Sequence, residues 1–180
     1  MEMSLASDFD LDVMYTNKGE PLGEITDKQP VLLVFLRHFG CMFCREAIAE
    51  LAKNRKKIEQ QGIRIIFVHM SEESVGDEYF KAYKFPNAEH ISDQMCTYYK
   101  EFGLVKGTIN QLFGLKNWGR FVEAGVIKGN LWGREIGDGF QMPGVFMLDK
   151  RKIVSSYIHK YVSDNPDYVS MATSCCTRDI

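Results

Sequence analysis

Cys41 and Cys44 are the residues whose type and spacing best suit covalent chemistry in this chain. They are two residues apart and follow the apolar run Val31 to Leu36, at the point where a buried strand is expected to give way to a helix. A helix N-terminus presents unpaired backbone N–H groups and a partial positive charge, which stabilise a thiolate and lower the pKa of the thiol. The pair is therefore predicted to be a redox dithiol.

A dithiol of this kind breaks an O–O or an S–S bond by thiolate attack, after which the second thiol resolves the sulfenic acid or mixed disulfide. Cys41 lies nearest the predicted helix start and is expected to be the more exposed of the two. Cys44 shares the apolar phase of Ile48 and Leu51 and is expected to be partly shielded. The alternative without a chemical role is that both thiols are buried and only fill space in the core. The charged residues next to them in the sequence make full burial less favourable.

The elements around the dithiol predict a parallel strand–helix–strand unit. Val31 to Leu36 is a continuous apolar run, typical of a strand covered on both faces. After Cys41 the apolar residues recur at helical spacing until Gly62, and Ile63 to Val68 is a second apolar strand. A crossover of this length indicates an α/β protein with a parallel core.

The remaining segments predict further helices and strands on either side of this unit. In chain order they are a short strand at Val13 to Tyr15, a helix from Ser71 to Tyr83, a strand at Glu89 to Ser92, a helix capped by Asp93, a hairpin of Val145 to Leu148 with Ile153 to Ile158, and a terminal helix from Tyr168 to Ser174. Residues 105–141, rich in glycine, are expected to be a helical and loop insertion within a single domain spanning 1–180.

Composition excludes several classes of function. With 180 residues, 45% hydrophobic and 26% charged, the chain has the balance of one globular domain. A formal net charge of -2 gives no reason to expect nucleic acid, and no apolar run approaches the ~18 residues of a membrane span. The polar start, Met1 to Asp10, is unlike a secretory signal, and five cysteines, an odd number, argue against a disulfide framework. A reducing, cytoplasmic location is expected.

The segments VFLRHFGCMFCREAIAEL, PGVFMLD and SDNPDY resemble the peroxiredoxin-like branch of the alkyl hydroperoxide reductase and thiol-specific antioxidant (AhpC/TSA) family, within the thioredoxin superfamily. The resemblance spans about Asp8 to Tyr168. It implies a thioredoxin-like fold, with a central mixed β-sheet flanked by helices on both faces. It also implies a thiol-dependent antioxidant oxidoreductase that reduces hydroperoxides, lipid peroxides among them, without a metal or organic cofactor. The implied partners are a thioredoxin or glutathione-type reductant and, as often in such relatives, a second copy in a homodimer.

The resemblance gives two assignments for the attacking sulfur. Thioredoxin-type proteins attack with the first cysteine, here Cys41, whereas peroxiredoxins carry Thr at that place and their peroxidatic cysteine at the place of Cys44. We expect Cys41 to serve disulfide exchange and Cys44 peroxide attack, with both catalytic. The arginine that peroxiredoxins place before the Gly-apolar-Phe strand is Pro143 here, which resembles the cis-proline loop that faces the dithiol of thioredoxins.

Other basic residues near the dithiol could replace the arginine that is Pro143 in this chain. Arg37 and His38 immediately precede it and are predicted to position the substrate or lower a thiol pKa. Arg45 is expected on the helix surface, and Arg120 and Arg134 lie in the insertion.

The adjacent Cys175 and Cys176, near the end of the chain, are either a C-terminal resolving thiol, as some peroxiredoxins have, or exposed tail residues. Joined to the dithiol they lack the spacing of a zinc finger, so no metal site is predicted. Two other functions stay open: a thioredoxin-like protein disulfide oxidoreductase, and a non-enzymatic interaction module whose dithiol senses redox state.

Overall fold

A five-stranded mixed sheet forms the centre of the computed structural model, which describes residues 9–108 and 139–176, the side chains of 174–176 excepted. The strands are β1 (Val31–Phe35), β2 (Arg64–His69), β3 (Glu89–Ser92), β4 (Gly144–Asp149) and β5 (Lys152–Ile158). The helices are α1 (Leu22–Lys28), α2 (Met42–Glu59), α3 (Glu73–Ala82), α4 (Thr97–Glu101) and α5 (Tyr168–Cys176).

The sheet order β3-β2-β1-β4-β5 joins a parallel half to an antiparallel half. β1 pairs in parallel with β2, and β2 with β3, so the predicted crossover through α2 is confirmed. β4 runs antiparallel to both β1 and β5, with Phe35 opposite Gly144 at the end of β1 that leads to the dithiol. This pairing brings the segment that precedes β4 next to the two cysteines.

Helices cover both faces of the sheet, which confirms the α/β thioredoxin-like class. On one face Leu32 and Val34 of β1 pack with the apolar side of α2, at Ile48 and Leu51. On the other face Leu33 and Phe35 of β1 pack in a second cluster with Leu22 and Ile25 of α1 and Tyr99 of α4. Successive strand residues point to opposite faces, so one short apolar strand supplies both clusters.

The N-terminal part differs from its prediction. A strand was expected at Val13 to Tyr15, but Val13 is the last residue of a 3-10 turn, Leu11–Val13. Of the expected strand, Tyr15 alone pairs, in an isolated bridge with Pro21. The Asp10 carboxylate accepts a hydrogen bond from the Asp12 backbone N–H at 2.9 Å and starts that turn. The sequence reading missed α1, whose signals were Pro21 at the start and two apolar residues at a spacing of three.

Helix α2 has the boundaries that its sequence pattern predicts. It begins at Met42, with Cys41 as its N-cap residue, and ends at Glu59, before Gly62 with φ of 77°. Only glycine adopts that left-handed conformation without steric cost, which is why the apolar pattern ends there.

The expected insertion at 105–141 lies mostly outside the described residues. Its two ends meet, since Lys106 pairs with Gln141 in an isolated bridge and the Gly107 N–H donates to the Phe140 carbonyl at 2.7 Å. None of the helices in the described segments has the length and apolar character needed to cross a bilayer.

Candidate active site

The dithiol lies at the junction of β1 and α2, as its sequence position predicts. The Cys41 backbone is extended, with φ of -75° and ψ of 123°, and its carbonyl accepts the Arg45 N–H at 3.3 Å as the helix begins. The two cysteines are similarly buried, with 6% of Cys41 and 4% of Cys44 exposed. Neighbouring residues cover both, so the expected exposure of Cys41 is wrong, whereas the expected shielding of Cys44 agrees with the structure.

Arg37 hydrogen-bonds to both sulfurs. Its guanidinium Nη1 donates to Cys41 Sγ at 3.2 Å, and its backbone N–H donates to Cys44 Sγ at 3.1 Å. The two thiol side chains also share a hydrogen bond with each other. The sequence prediction that Arg37 acts on the dithiol is consistent with this geometry.

The guanidinium of Arg37 is fixed by the segment that precedes β4. Its Nε donates to the Gln141 carbonyl at 3.1 Å, and its Nη2 donates to the Gly139 carbonyl. The Gln141 side chain in turn donates to the Leu104 carbonyl at 3.0 Å. Sequence reasoning missed Gly139 and Gln141, because backbone carbonyls leave no signal in residue type.

The two thiols have opposite electrostatic environments. The hydrogen bond from Cys44, aided by the positive charge of Arg37, lowers the pKa of Cys41 to about 6 despite its burial. Burial, together with the sulfur of Cys41, raises the pKa of Cys44 well above the ordinary thiol range. Near neutral pH the site therefore holds a Cys41 thiolate and a Cys44 thiol.

Of the two other predicted positioning residues, His38 is buried in the turn between β1 and α2, where its carbonyl accepts the Cys41 N–H at 3.0 Å. Pro143 borders the same small cavity as Cys44. No peptide bond in the described segments is cis, so the bond from Met142 to Pro143 is trans and the resemblance to a cis-proline loop does not extend to its geometry.

Arg45 is buried, so its expected place on the helix surface is wrong. Its Nε donates to the Phe39 carbonyl at 3.1 Å, and its guanidinium lies over the rings of Tyr79 and Tyr83, at 6.0 and 5.4 Å from their centroids. These contacts tie the first turn of α2 to α3 and involve neither sulfur.

The other predicted site residues contribute no described contact. Cys175 and Cys176 belong to α5, but their side chains lie outside the described residues, so the resolving role stays a prediction. Arg120 and Arg134 also lie outside them. Within the described ranges, no three His, Cys, Asp or Glu side chains are grouped to hold a metal ion.

Comparison with known proteins gives three kinds of match. A family model described as AhpC/TSA antioxidant enzyme matches residues 50–163. The prostamide/prostaglandin F synthases of Danio rerio and Xenopus laevis are 29% and 28% identical, covering 84% and 88% of this chain and 77% and 79% of theirs. The crystal structure of peroxidoxin BcpB from Mycobacterium tuberculosis superposes with a TM-score of 0.64 at 14% identity, over 96% of both chains.

Proposed function

The chain belongs to the AhpC/TSA antioxidant enzyme family and is a peroxiredoxin-like oxidoreductase, and on this premise we propose that it reduces hydroperoxides through Cys41 and Cys44. The observation that carries the proposal is the hydrogen bond at 3.2 Å between the Arg37 guanidinium and Cys41 Sγ. The cation stabilises the Cys41 thiolate, whereas Cys44 stays protonated. This arrangement supports Cys41 as the attacking cysteine and Cys44 as the resolving cysteine.

The proposed reaction has two steps on the enzyme. The Cys41 thiolate attacks the terminal oxygen of the hydroperoxide; the S–O bond forms, the O–O bond breaks, and the departing alkoxide takes up a proton to become the alcohol. The Cys44 thiol then attacks the sulfenic sulfur; the S–S bond forms, the S–O bond breaks, and the oxygen leaves as water. An external dithiol, or two monothiols, reduces the disulfide and completes the cycle.

The charge distribution favours Cys41 as the attacking sulfur for both peroxides and disulfides. This differs from the sequence expectation that Cys44 attacks peroxide, because the sequence does not reveal that the Arg37 guanidinium reaches Cys41. Arg37 also supports peroxide binding, since a guanidinium next to the thiolate stabilises the negative charge that develops on the leaving oxygen. We propose a thioredoxin or glutathione-type donor in the cytoplasm as reductant.

A second candidate substrate is a lipid with an internal O–O bond. The relatives named prostamide/prostaglandin F synthase match most of this chain, which supports a lipid of this kind as a further substrate. Thiolate attack on such a bond would form an S–O bond to one oxygen and break the O–O bond, and the other oxygen would take up a proton to become a hydroxyl. Attack by Cys44 would then form the S–S bond and break the S–O bond, and the first oxygen would leave and take up a proton as the second hydroxyl. Disulfide exchange on proteins uses the same two sulfurs and is the remaining enzymatic alternative.

Stopped-flow mixing of the reduced protein with hydrogen peroxide and with an organic hydroperoxide tests the proposal. We expect thiolate loss well faster than that of free cysteine, no reaction in Cys41→Ser, and a trappable sulfenic acid on Cys41 in Cys44→Ser. Cys96→Ser is the matched control and should behave as the unmodified protein. Rates equal to free cysteine for every peroxide would remove the peroxidase function, and trapping on Cys44 in the Cys41→Ser variant would reverse the two roles.

A further inference from the structure

A small cavity borders the sulfur that stays protonated. Its volume is about 20 Å³, and Cys44, Pro143, His159 and Tyr168 are among its lining residues. Its walls are mainly apolar, but the polar side chains of His159, Asp164 and Tyr168 also line it, and a space of this size suits a single water molecule. An open groove of about 610 Å³ shares Glu46 with the cavity wall, so bulk solvent lies close to it.

His159 lines the cavity and carries a ring nitrogen that pairs with no described group. The residue is only 7% exposed, and its Nδ1 is sealed from solvent and has no hydrogen-bond partner in the part of the chain that the structure describes. The ring is fixed edge-on against Tyr157, with centroids 5.2 Å apart, and its backbone N–H donates to the Pro143 carbonyl at 3.4 Å. A buried nitrogen without a partner is costly, and a small displacement of the ring that lets it reach a water in the cavity would satisfy it.

We propose that His159, through one water in this cavity, accepts the proton of the Cys44 thiol when Cys44 attacks the oxidised sulfur of Cys41. The inference rests on the proposed function, because it concerns the resolving step of the same dithiol. It makes His159 a proton-transfer residue, assigned from its shared cavity with Cys44 and its unpaired nitrogen.

As the S–S bond forms, the S–H bond of Cys44 becomes strongly acidic, and its proton passes through the water to the imidazole. The group that leaves Cys41, hydroxide from a sulfenic acid or thiolate from a mixed disulfide, departs with the electron pair of the broken bond. The imidazolium then releases its proton, which either converts hydroxide to water or enters the solvent.

The ring starts the step in the neutral form. Burial lowers the pKa of His159 to about 4, against a partial opposing effect of the Asp164 carboxylate, so the imidazole is free to accept a proton near neutral pH. A base this weak still accepts the proton, because the thiol is most acidic while the new bond forms.

Other titratable groups face the cavity and compete for the role. They are Glu46 from α2, Tyr168 from α5, Asp164 from the segment after β5, and Arg37 from the segment after β1. Burial raises the pKa of Tyr168 far above neutral pH, so its phenol keeps its proton. One Asp164 oxygen already accepts the backbone N–H groups of Lys160 and Tyr161 at 2.7 and 2.9 Å. Glu46 is the competitor that the experiment must separate from His159.

The resolving step is measured with an aromatic disulfide that releases a coloured thiolate, in a background where Cys96, Cys175 and Cys176 are Ser. Release of the first thiolate reports loading of Cys41, and release of the second reports attack by Cys44. The variants are His159→Gln, Glu46→Gln and, as a matched control, Tyr157→Leu, which removes the packing ring and keeps the imidazole. This assay needs no peroxide, so it does not depend on whether the protein reduces one.

We expect the second phase of the unmodified protein to be nearly independent of pH between about 5.5 and 8. In His159→Gln it should be at least about tenfold slower at pH 6 and rise with pH, since hydroxide must replace the missing base. Tyr157→Leu and Glu46→Gln should keep the flat profile. An unchanged profile in His159→Gln, or a change confined to Glu46→Gln, would overturn the inference, whereas failure of the peroxide reaction with a normal second phase would overturn only the proposed function.

Discussion

The Arg37 guanidinium donates a hydrogen bond to Cys41 Sγ at 3.2 Å, and the same guanidinium is fixed by carbonyls of the segment before β4. Peroxiredoxins supply their arginine from the position that is Pro143 here. In this chain the cation comes from the end of β1 and reaches the sulfur four residues further on. The charge beside the thiolate is thus retained although the arginine comes from a different element.

Arg37→Gln should raise the pKa of Cys41 by about one to two units, because the substitution removes the positive charge beside the thiolate. Thiolate absorbance followed against pH measures the change, and the rate with a disulfide reagent at pH 7 should fall about tenfold. Arg55→Gln, which removes from α2 a charge that pairs with Glu59 and contacts neither sulfur, is the control. Equal titration curves for the two variants would rule out the role of Arg37.

Replacement of Cys44 by Ala and by Ser separates the hydrogen bond from the bulk of the side chain. In Cys44→Ala the donor to Cys41 is lost, so the pKa of Cys41 should rise from about 6. In Cys44→Ser the hydroxyl can still donate, so the rise should be smaller. Titration of Cys41 alkylation against pH distinguishes the variants, and identical curves for both would show that Cys44 stabilises Cys41 by packing alone.

The Cys41 thiolate also sets the pH dependence of the first reaction. Because its pKa lies near 6, the rate with a peroxide or a disulfide reagent should rise as the pH passes about 6 and level off by neutral pH. An ordinary thiol would still be gaining rate above pH 8. A pH–rate profile of the first phase measures this, and a midpoint above 8 would contradict the assigned ionisation.

Buried histidines away from the dithiol predict acid sensitivity. The Ser71 N–H donates to His69 Nδ1 at 3.2 Å, so His69 donates from Nε2 to His90 Nδ1 at 2.9 Å. Burial lowers the pKa of His69 to about 3, below the unfolded value of 6.5. The unfolded chain therefore takes up the proton first, and this residue should cost about 1.4 kcal/mol of unfolding free energy per pH unit below 6.5, until its folded pKa is reached.

Urea unfolding at a series of pH values measures that slope. In His69→Gln the slope between pH 6.5 and 4 should decrease by about 1.4 kcal/mol per pH unit, because the titrating group is gone. Lys28→Gln, an exposed change in α1, should leave the slope as it is. A His69→Gln slope equal to that of the unmodified protein would show that other groups control acid unfolding.

Gly76 in α3 should not tolerate a side chain. A Cβ built there would lie 2.6 Å from His69 Nε2 and 3.0 Å from His90 Cε1, and both rings are fixed by the hydrogen bonds described above. Gly76→Ala should lower the free energy of unfolding by about 1 to 3 kcal/mol, although alanine favours a helix. Ser74→Ala, at an exposed position of the same helix, is the control, and a stabilised Gly76→Ala protein would show that the rings move aside cheaply.

Features that depend on neighbours along the chain could be predicted from residue order alone. The apolar run of β1, the helical spacing of α2 and the left-handed Gly62 are local, so they predicted where the dithiol lies and that a helix begins at it. Short-range spacing also predicted the strand Glu89–Ser92 and the hairpin of β4 and β5. The prediction that residues 1–180 form one domain stays a prediction.

Which sulfur carries the negative charge depends on contacts between residues far apart in the chain. Arg37 is buried only because the antiparallel pairing of β4 with β1 brings Gln141, which is 104 residues away in the chain, against its guanidinium. The Arg37 guanidinium in turn covers Cys41, and packing against Tyr79 and Tyr83 buries Arg45, although both residues were expected at the surface. Every residue has a backbone carbonyl, so the sequence does not show which carbonyls accept hydrogen bonds from a distant side chain. Only the folded chain reveals them.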